Sequence, residues 1–140
     1  MSTITANYHG HTTTANPTSA AGKVSNLLRL TYGLVPIAAG ADKFMHLLVN
    51  WDQYLAPAIA GVLPFEAHTF MLIVGVVEIV AGIIVLLRPR LGALIVSLWL
   101  VGIAVNLLIG WHYLDVAVRD IVMAIGAFCL YLLSDGRRSE

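Results

Sequence analysis

Four stretches of about twenty predominantly apolar residues, near 24–48, 67–87, 91–110 and 114–133, constrain this chain more than any other feature. About 20 apolar residues make an α-helix long enough to cross the hydrocarbon core of a bilayer. Runs of this length suit spanning helices better than helices buried in a soluble domain. Of the 140 residues, 59% are hydrophobic and 11% charged, where a soluble domain carries roughly 25% charged residues. A soluble chain this short and this apolar would expose too much hydrophobic surface to stay dispersed. A soluble enzyme, a disordered chain and a disulfide-stapled secreted domain are thereby excluded. The single cysteine, Cys129, lies in an apolar run and reads as a small hydrophobic side chain. Eight basic and eight acidic residues give zero formal net charge. With no basic run interleaved with aromatics, no nucleic-acid partner is expected.

The expected fold is all-α: an integral membrane four-helix bundle forming a single domain over residues 23–134. An uncharged, flexible tail (1–22) precedes it and a cytoplasmic tail (135–140) follows. The first tail has neither the basic start nor the apolar core of a secretory signal. Arg88-Pro89-Arg90 stops the second span and predicts a tight antiparallel hairpin. Over 50–63 the pattern predicts a short interfacial helix in the first outer loop, capped by Asn50 with Gln53 as reciprocal partner. Trp51, Tyr54, Leu55, Ala58, Ile59 and Val62 would share its apolar face, with Pro57 a break or kink and Pro64 its end. Lys23, Arg29, Arg88, Arg90, Arg137 and Arg138 fall on the side of the termini, and Lys43 and Arg119 towards the other. That asymmetry predicts both termini in the cytoplasm, and a bacterial cytoplasmic membrane is the expected location.

Ionisable groups inside a bilayer cost several kcal/mol each unless paired, hydrated or neutralised. The spans nevertheless hold Arg29, Asp42, Lys43, Glu78, Arg119 and Asp120, with Asn106 as a further polar residue. In the first span Arg29, Gly33, Pro36, Gly40 and Lys43 fall on one stripe, whose small residues let another helix approach. In the second, Met71, Gly75, Glu78 and Gly82 share a face, and Glu78 sits near mid-span. Arg29 and Arg119 are its expected partners, each roughly 10 Å away in depth. Asp42, Lys43, Asn106, Arg119 and Asp120 are expected to converge at the outer end as a mutually neutralising cluster. A buried pair that fixes helix register and a proton-handling Glu are both compatible with this pattern.

His46, His68 and His112 each end a span near the outer face. They are the imidazoles that would hold a metal or meet a quinone head group. The simpler reading makes them interfacial side chains, and no metal is expected. Trp51, Tyr54, Trp111 and Tyr113 are the expected interfacial anchors.

The run from Leu28-Arg29-Leu30 through Gly33 to Ala39-Gly40-Ala41-Asp42-Lys43-Phe44 resembles the opening of the DoxX-like membrane proteins. Asn50-Trp51 with Tyr54-Leu55, then Val77-Glu78-Ile79-Val80-Ala81-Gly82 and Val118-Arg119-Asp120, follow in the order of that family's motifs. The resemblance covers about residues 27–134 and implies a four-helix bundle. It also implies a link to membrane redox systems, such as the small subunits of thiosulfate:quinone oxidoreductase. On that analogy the polar positions Arg29, Asp42, Lys43, Glu78, Arg119 and Asp120 carry over. The chain shows no nucleotide loop, cysteine redox pair or haem ligand set, so catalysis by the chain alone is not expected. The expected role is a membrane subunit of a quinone-linked oxidoreductase, in contact with lipid and with other subunits. A purely structural subunit of a respiratory or photosynthetic assembly, and a small transporter, are the competing readings.

Overall fold

The structure, a computed structural model, describes residues 19–135. Most of the 1–22 tail and of the 135–140 tail therefore lies outside the described residues. Within them the chain is all-helical, with no strand. Four helices are long: α1 (Ala20–Met45), α3 (Ala67–Leu87), α4 (Pro89–Gly110) and α5 (Leu114–Asp135). Between the first two lie a 3₁₀ turn, Trp51–Tyr54, and the single-turn helix α2, Pro57–Ala60. Helices α3, α4 and α5 are long and apolar enough to cross a membrane.

The first helix starts earlier than the apolar run. The Ser19 side chain accepts from Gly22 N at 3.2 Å and caps it. It ends at Met45, not 48, because His46 takes a left-handed conformation (φ 52°) and donates its backbone N–H to Asp42 O at 2.7 Å. Helix α4 begins at Pro89, where a missing N–H costs nothing in the first turn.

The predicted interfacial helix over 50–63 is not continuous. Pro57 splits it: a proline cannot donate within a helix but serves well as a first residue, and α2 starts there. Asn50 caps only the 3₁₀ turn, accepting from Asp52 N at 3.2 Å, with no return bond from Gln53 among the described residues. Leu55 and Ala56 are buried, while Val62 is 84% exposed.

Two antiparallel hairpins, α1/α3 and α4/α5, form the closest packings. Both rest on small residues spaced by seven. A Cβ on Gly40 would lie 2.5 Å from the Gly75 carbonyl oxygen, and one on Gly82 would collide with the Gly33 carbonyl. The glycines of the two helices thus face each other in a single register. In α4/α5, Ser97 Oγ donates to Ala124 O at 2.9 Å, and Ala104 packs in one cluster with Ala117. A seven-residue repeat keeps one seam facing its partner along the whole helix.

Burial departs from that of a soluble domain, for many large apolar side chains lie outside while charged ones join Val85, Leu107 and Leu130 within. The interior holds Gly33, Gly40, Gly75, Gly82, Ala81, Ala93 and Ala127 together with Asp42, Lys43, Glu78 and Asp120. Leu27, Leu30, Leu34, Ile73, Val80, Leu98 and Val122 face outward. Lipid tails are as apolar as leucine, so nothing drives such side chains inward; close backbone packing and polar contacts hold the helices instead. At one end Arg29 donates from Nε (2.9 Å) and Nη2 to the Leu86 carbonyl, and Arg90 pairs with Asp135 at 2.8 Å. The start of α1 and the end of α5 therefore share the end of the bundle that holds the α3–α4 turn.

Gly40→Ala is expected to cost about 1–3 kcal/mol by overpacking. Gly102→Ala, where a Cβ meets nothing within 4 Å, should be neutral or slightly stabilising. Reversible SDS unfolding in mixed micelles measures both.

Candidate functional site

The glycine register decides which charges meet. Gly40 opposite Gly75 places Lys43 on α1 towards the loop end of the bundle and Glu78 on α3 deeper in it. Side chains on an α-helix lean towards its N-terminus. In an antiparallel pair these two therefore lean towards each other. Lys43 Nζ reaches Glu78 Oε2 at 2.6 Å, with side chains 3% and 10% exposed. A Cβ at Gly75 would stand 3.2 Å from Lys43 Cβ, so glycine there leaves room for the lysine stem.

Glu78 is thus paired with Lys43, and neither Arg29 nor Arg119 reaches it. Arg29 is spent on the carbonyl end of α3. Arg119 is exposed and pairs with Asp115 one turn away, at 3.1 Å. Asp120, buried on α5, stands within electrostatic reach of Glu78. Trp99 of α4 also lies beside Glu78, with its Nε1 buried.

Trp51 closes the loop end of this pair. Its ring covers Lys43 Nζ at 3.7 Å from the centroid, and its Nε1 donates to Asp42 Oδ2 at 2.7 Å. A desolvated cation over an indole face gains roughly 2 kcal/mol. Asp42 Oδ1 accepts from Leu47 N and Leu48 N, both at 3.0 Å, and so organises the chain reversal after α1. Asn106 pins the far side of the loop, accepting from Ala56 N at 3.1 Å and donating to Tyr54 O at 2.8 Å.

The expected outer cluster is therefore divided. Asp42 and Asn106 hold the loop, Lys43 turns to Glu78, Asp120 is buried within electrostatic reach of Glu78, and Arg119 faces outward. Among the expected anchors, Trp111 is 77% exposed at a left-handed C-cap (φ 52°), whereas Trp51 and Tyr54 are half-buried. Tyr54 packs on Tyr113 with ring centroids 4.6 Å apart. His46 and His68 come together; His112 bonds through Nδ1 to the Gly110 carbonyl instead.

A cleft of about 230 Å³ opens where Tyr54, Asn106, His112 and Tyr113 meet. A wider one of about 820 Å³ lies at the opposite end, against Arg88, Arg90, Leu94 and Tyr131. Neither is lined by Lys43, Glu78 or Asp120. Comparison with protein-family models, curated proteins and solved structures found no match to this chain. The functional reading therefore rests on the geometry and on the motifs themselves.

Removing one partner of a buried ion pair strands the other charge, at about 3–5 kcal/mol, while replacing both by apolar groups of similar size is close to neutral. Glu78→Leu should therefore destabilise by that amount, and Lys43→Met/Glu78→Leu should recover most of the loss. A double-mutant cycle in SDS unfolding reads the coupling directly.

Proposed function

We propose that this chain is a proton-handling membrane subunit of a quinone-linked redox complex in a bacterial cytoplasmic membrane. Its electron-carrying chemistry belongs to a partner. The observation that carries the reading is the charge count of the buried set. Lys43 supplies one positive charge against three buried carboxylates; Asp42 has its charge met by the N–H groups of Leu47, Leu48 and Trp51, which leaves Lys43, Glu78 and Asp120 as the trio to balance. Fully ionised, the trio holds an uncompensated negative charge where that costs several kcal/mol. One added proton, on Glu78 or Asp120, makes the trio neutral. A set balanced in this way can take up and release a proton as a neighbouring redox group changes charge.

The cleft at Tyr54, Asn106, His112 and Tyr113 supports a place for the head group. Its volume of about 230 Å³ is below the roughly 300–1,000 Å³ of sites that enclose a whole drug-sized ligand. It suits one ring entering from the bilayer edge. The resemblance to DoxX-like proteins supports the same role and four spans, and the distribution of basic residues supports both termini in the cytoplasm. Helix α1 is the fourth span in this reading. It turns Asp42 and Lys43 inward and presents Leu27, Leu30, Leu34 and Val35 outward. A C-terminal reporter active only in the cytoplasm should then give signal, and one active only in the periplasm should not.

One observation favours a second reading, a structural subunit: Arg29 and Asn106 spend their hydrogen bonds on helix-end and loop backbone, and Asp42 spends its own on loop backbone and Trp51. Purification of the native complex in mild detergent separates the two. The redox reading expects co-purifying quinone and an electron-carrying partner, with quinone-dependent turnover falling at least about tenfold in Glu78→Gln. Unchanged turnover in a correctly assembled Glu78→Gln complex, or a complex free of quinone and redox partner, contradicts it.

A further inference from the structure

The loop that covers the buried pair also brings together three side chains that no part of the proton-handling reading uses. His46 follows α1, Asp52 lies in the 3₁₀ turn, and His68 is in the first turn of α3. Each offers one ligand atom, and these atoms all lie within 4.8 Å of one another. His68 Nδ1 and Asp52 Oδ2 are 3.5 Å apart. Two ligand atoms held about 2.0–2.1 Å from a tetrahedral ion are separated by about 3.4 Å. The His46 and His68 rings stand side by side, with centroids 5.2 Å apart and planes inclined by 25°.

The carboxylate supplies a second, independent observation. Asp52 Oδ1 is buried and has no hydrogen-bond partner, although an ionised carboxylate oxygen accepts strongly. The nearby ammonium of Lys43 is already committed to Glu78 and to the Trp51 ring. A cation held between Asp52 Oδ2 and His68 Nδ1 would offset the charge of a carboxylate whose other oxygen has no donor.

We propose that His46, Asp52 and His68 form a binding site for a divalent transition metal of the Zn²⁺ class at the mouth of the bundle. Two imidazole nitrogens and one carboxylate oxygen are a borderline donor set. It suits zinc and its neighbours rather than Mg²⁺ or Ca²⁺, which favour all-oxygen shells. Three protein ligands leave a fourth position open, as in zinc sites that exchange water or bind a further ligand. The ligands come from three segments, and their placement is fixed from below. Asp42 accepts the backbone N–H groups of Leu47 and Leu48 just after His46, and Asn50 accepts that of Asp52. Asp52 belongs to the same 3₁₀ turn as Trp51, the residue whose indole covers Lys43. The inference stands whether or not the redox role does.

The test uses the full-length chain in detergent, purified without a polyhistidine tag. His9→Ala and His11→Ala form the background, because imidazoles near the N-terminus would add sites of their own. Titration with Zn²⁺ by calorimetry should give one ion per chain. Co²⁺ in its place should develop the visible bands of a four-coordinate ion. His68→Ala and Asp52→Asn should each weaken Zn²⁺ at least about tenfold, while His112→Ala leaves it unchanged. His46→Asn, which tolerates the left-handed backbone at φ 52°, provides a ligand loss that preserves the fold. Absence of stoichiometric binding, binding that survives His68→Ala, or equal weakening by His112→Ala overturns the site.

Discussion

A lysine and a glutamate buried away from water must find each other, and the rest of this bundle is arranged so that they do. Neither charge would be tolerated alone at that depth. Their contact needs α1 and α3 to approach at backbone distance, which Gly33, Gly40, Gly75 and Gly82 permit. It also needs an antiparallel register that lets both side chains lean inward along the seam. The Trp51 ring then shuts the loop end over Lys43, and Asp42 holds Trp51 in place. Each of these features has a local cause, and together they enclose the pair.

Much of this was legible in the residues. The apolar runs marked all four long helices to within a few residues, and three of these are long and apolar enough to cross a membrane. The glycine stripes on the first two spans were visible, as was the isolation of Glu78. What the stripes do not carry is the register between helices. Depth along each helix, taken separately, put Lys43 with Asp42 and offered Arg29 or Arg119 to Glu78. The offset of α1 against α3 and the N-terminal lean of helical side chains moved Lys43 to it instead. Both glycine pairs step by seven, and matching those steps across the hairpin is the signal that would have found the partner.

The loop was the least legible part. Apolar spacing suggested one amphipathic helix, but Pro57 and the backbone demands of the turn produced two short pieces. Their shape follows from hydrogen bonds to Asp42, Asn50 and Asn106, none of which periodicity reveals. The same loop introduces Asp52 beside two imidazoles, while the α4–α5 connection turns His112 to the Gly110 carbonyl. The left-handed non-glycine residues His46, Trp111 and Tyr113 lie in these two connections. Strained backbone tends to gather where a structure holds side chains for a task. Here the loop end of the bundle carries both the outer cleft and the His46–Asp52–His68 group.

The chain contains only two lysines, Lys23 and Lys43, and three glutamates, Glu66, Glu78 and Glu140. Selective labelling can therefore isolate the central contact in lipid bilayers. Solid-state dipolar recoupling between ¹⁵N-labelled lysine side chains and ¹³C-labelled glutamate carboxyls, on a Lys23→Arg background, leaves Lys43 as the sole lysine reporter. A Lys43 signal strongly dephased by glutamate carbon, and released by Glu78→Gln made with unlabelled glutamine, is the result expected from an Nζ–Oε2 separation of 2.6 Å. A Lys43 nitrogen that shows no such coupling would contradict the buried pair and the account built on it.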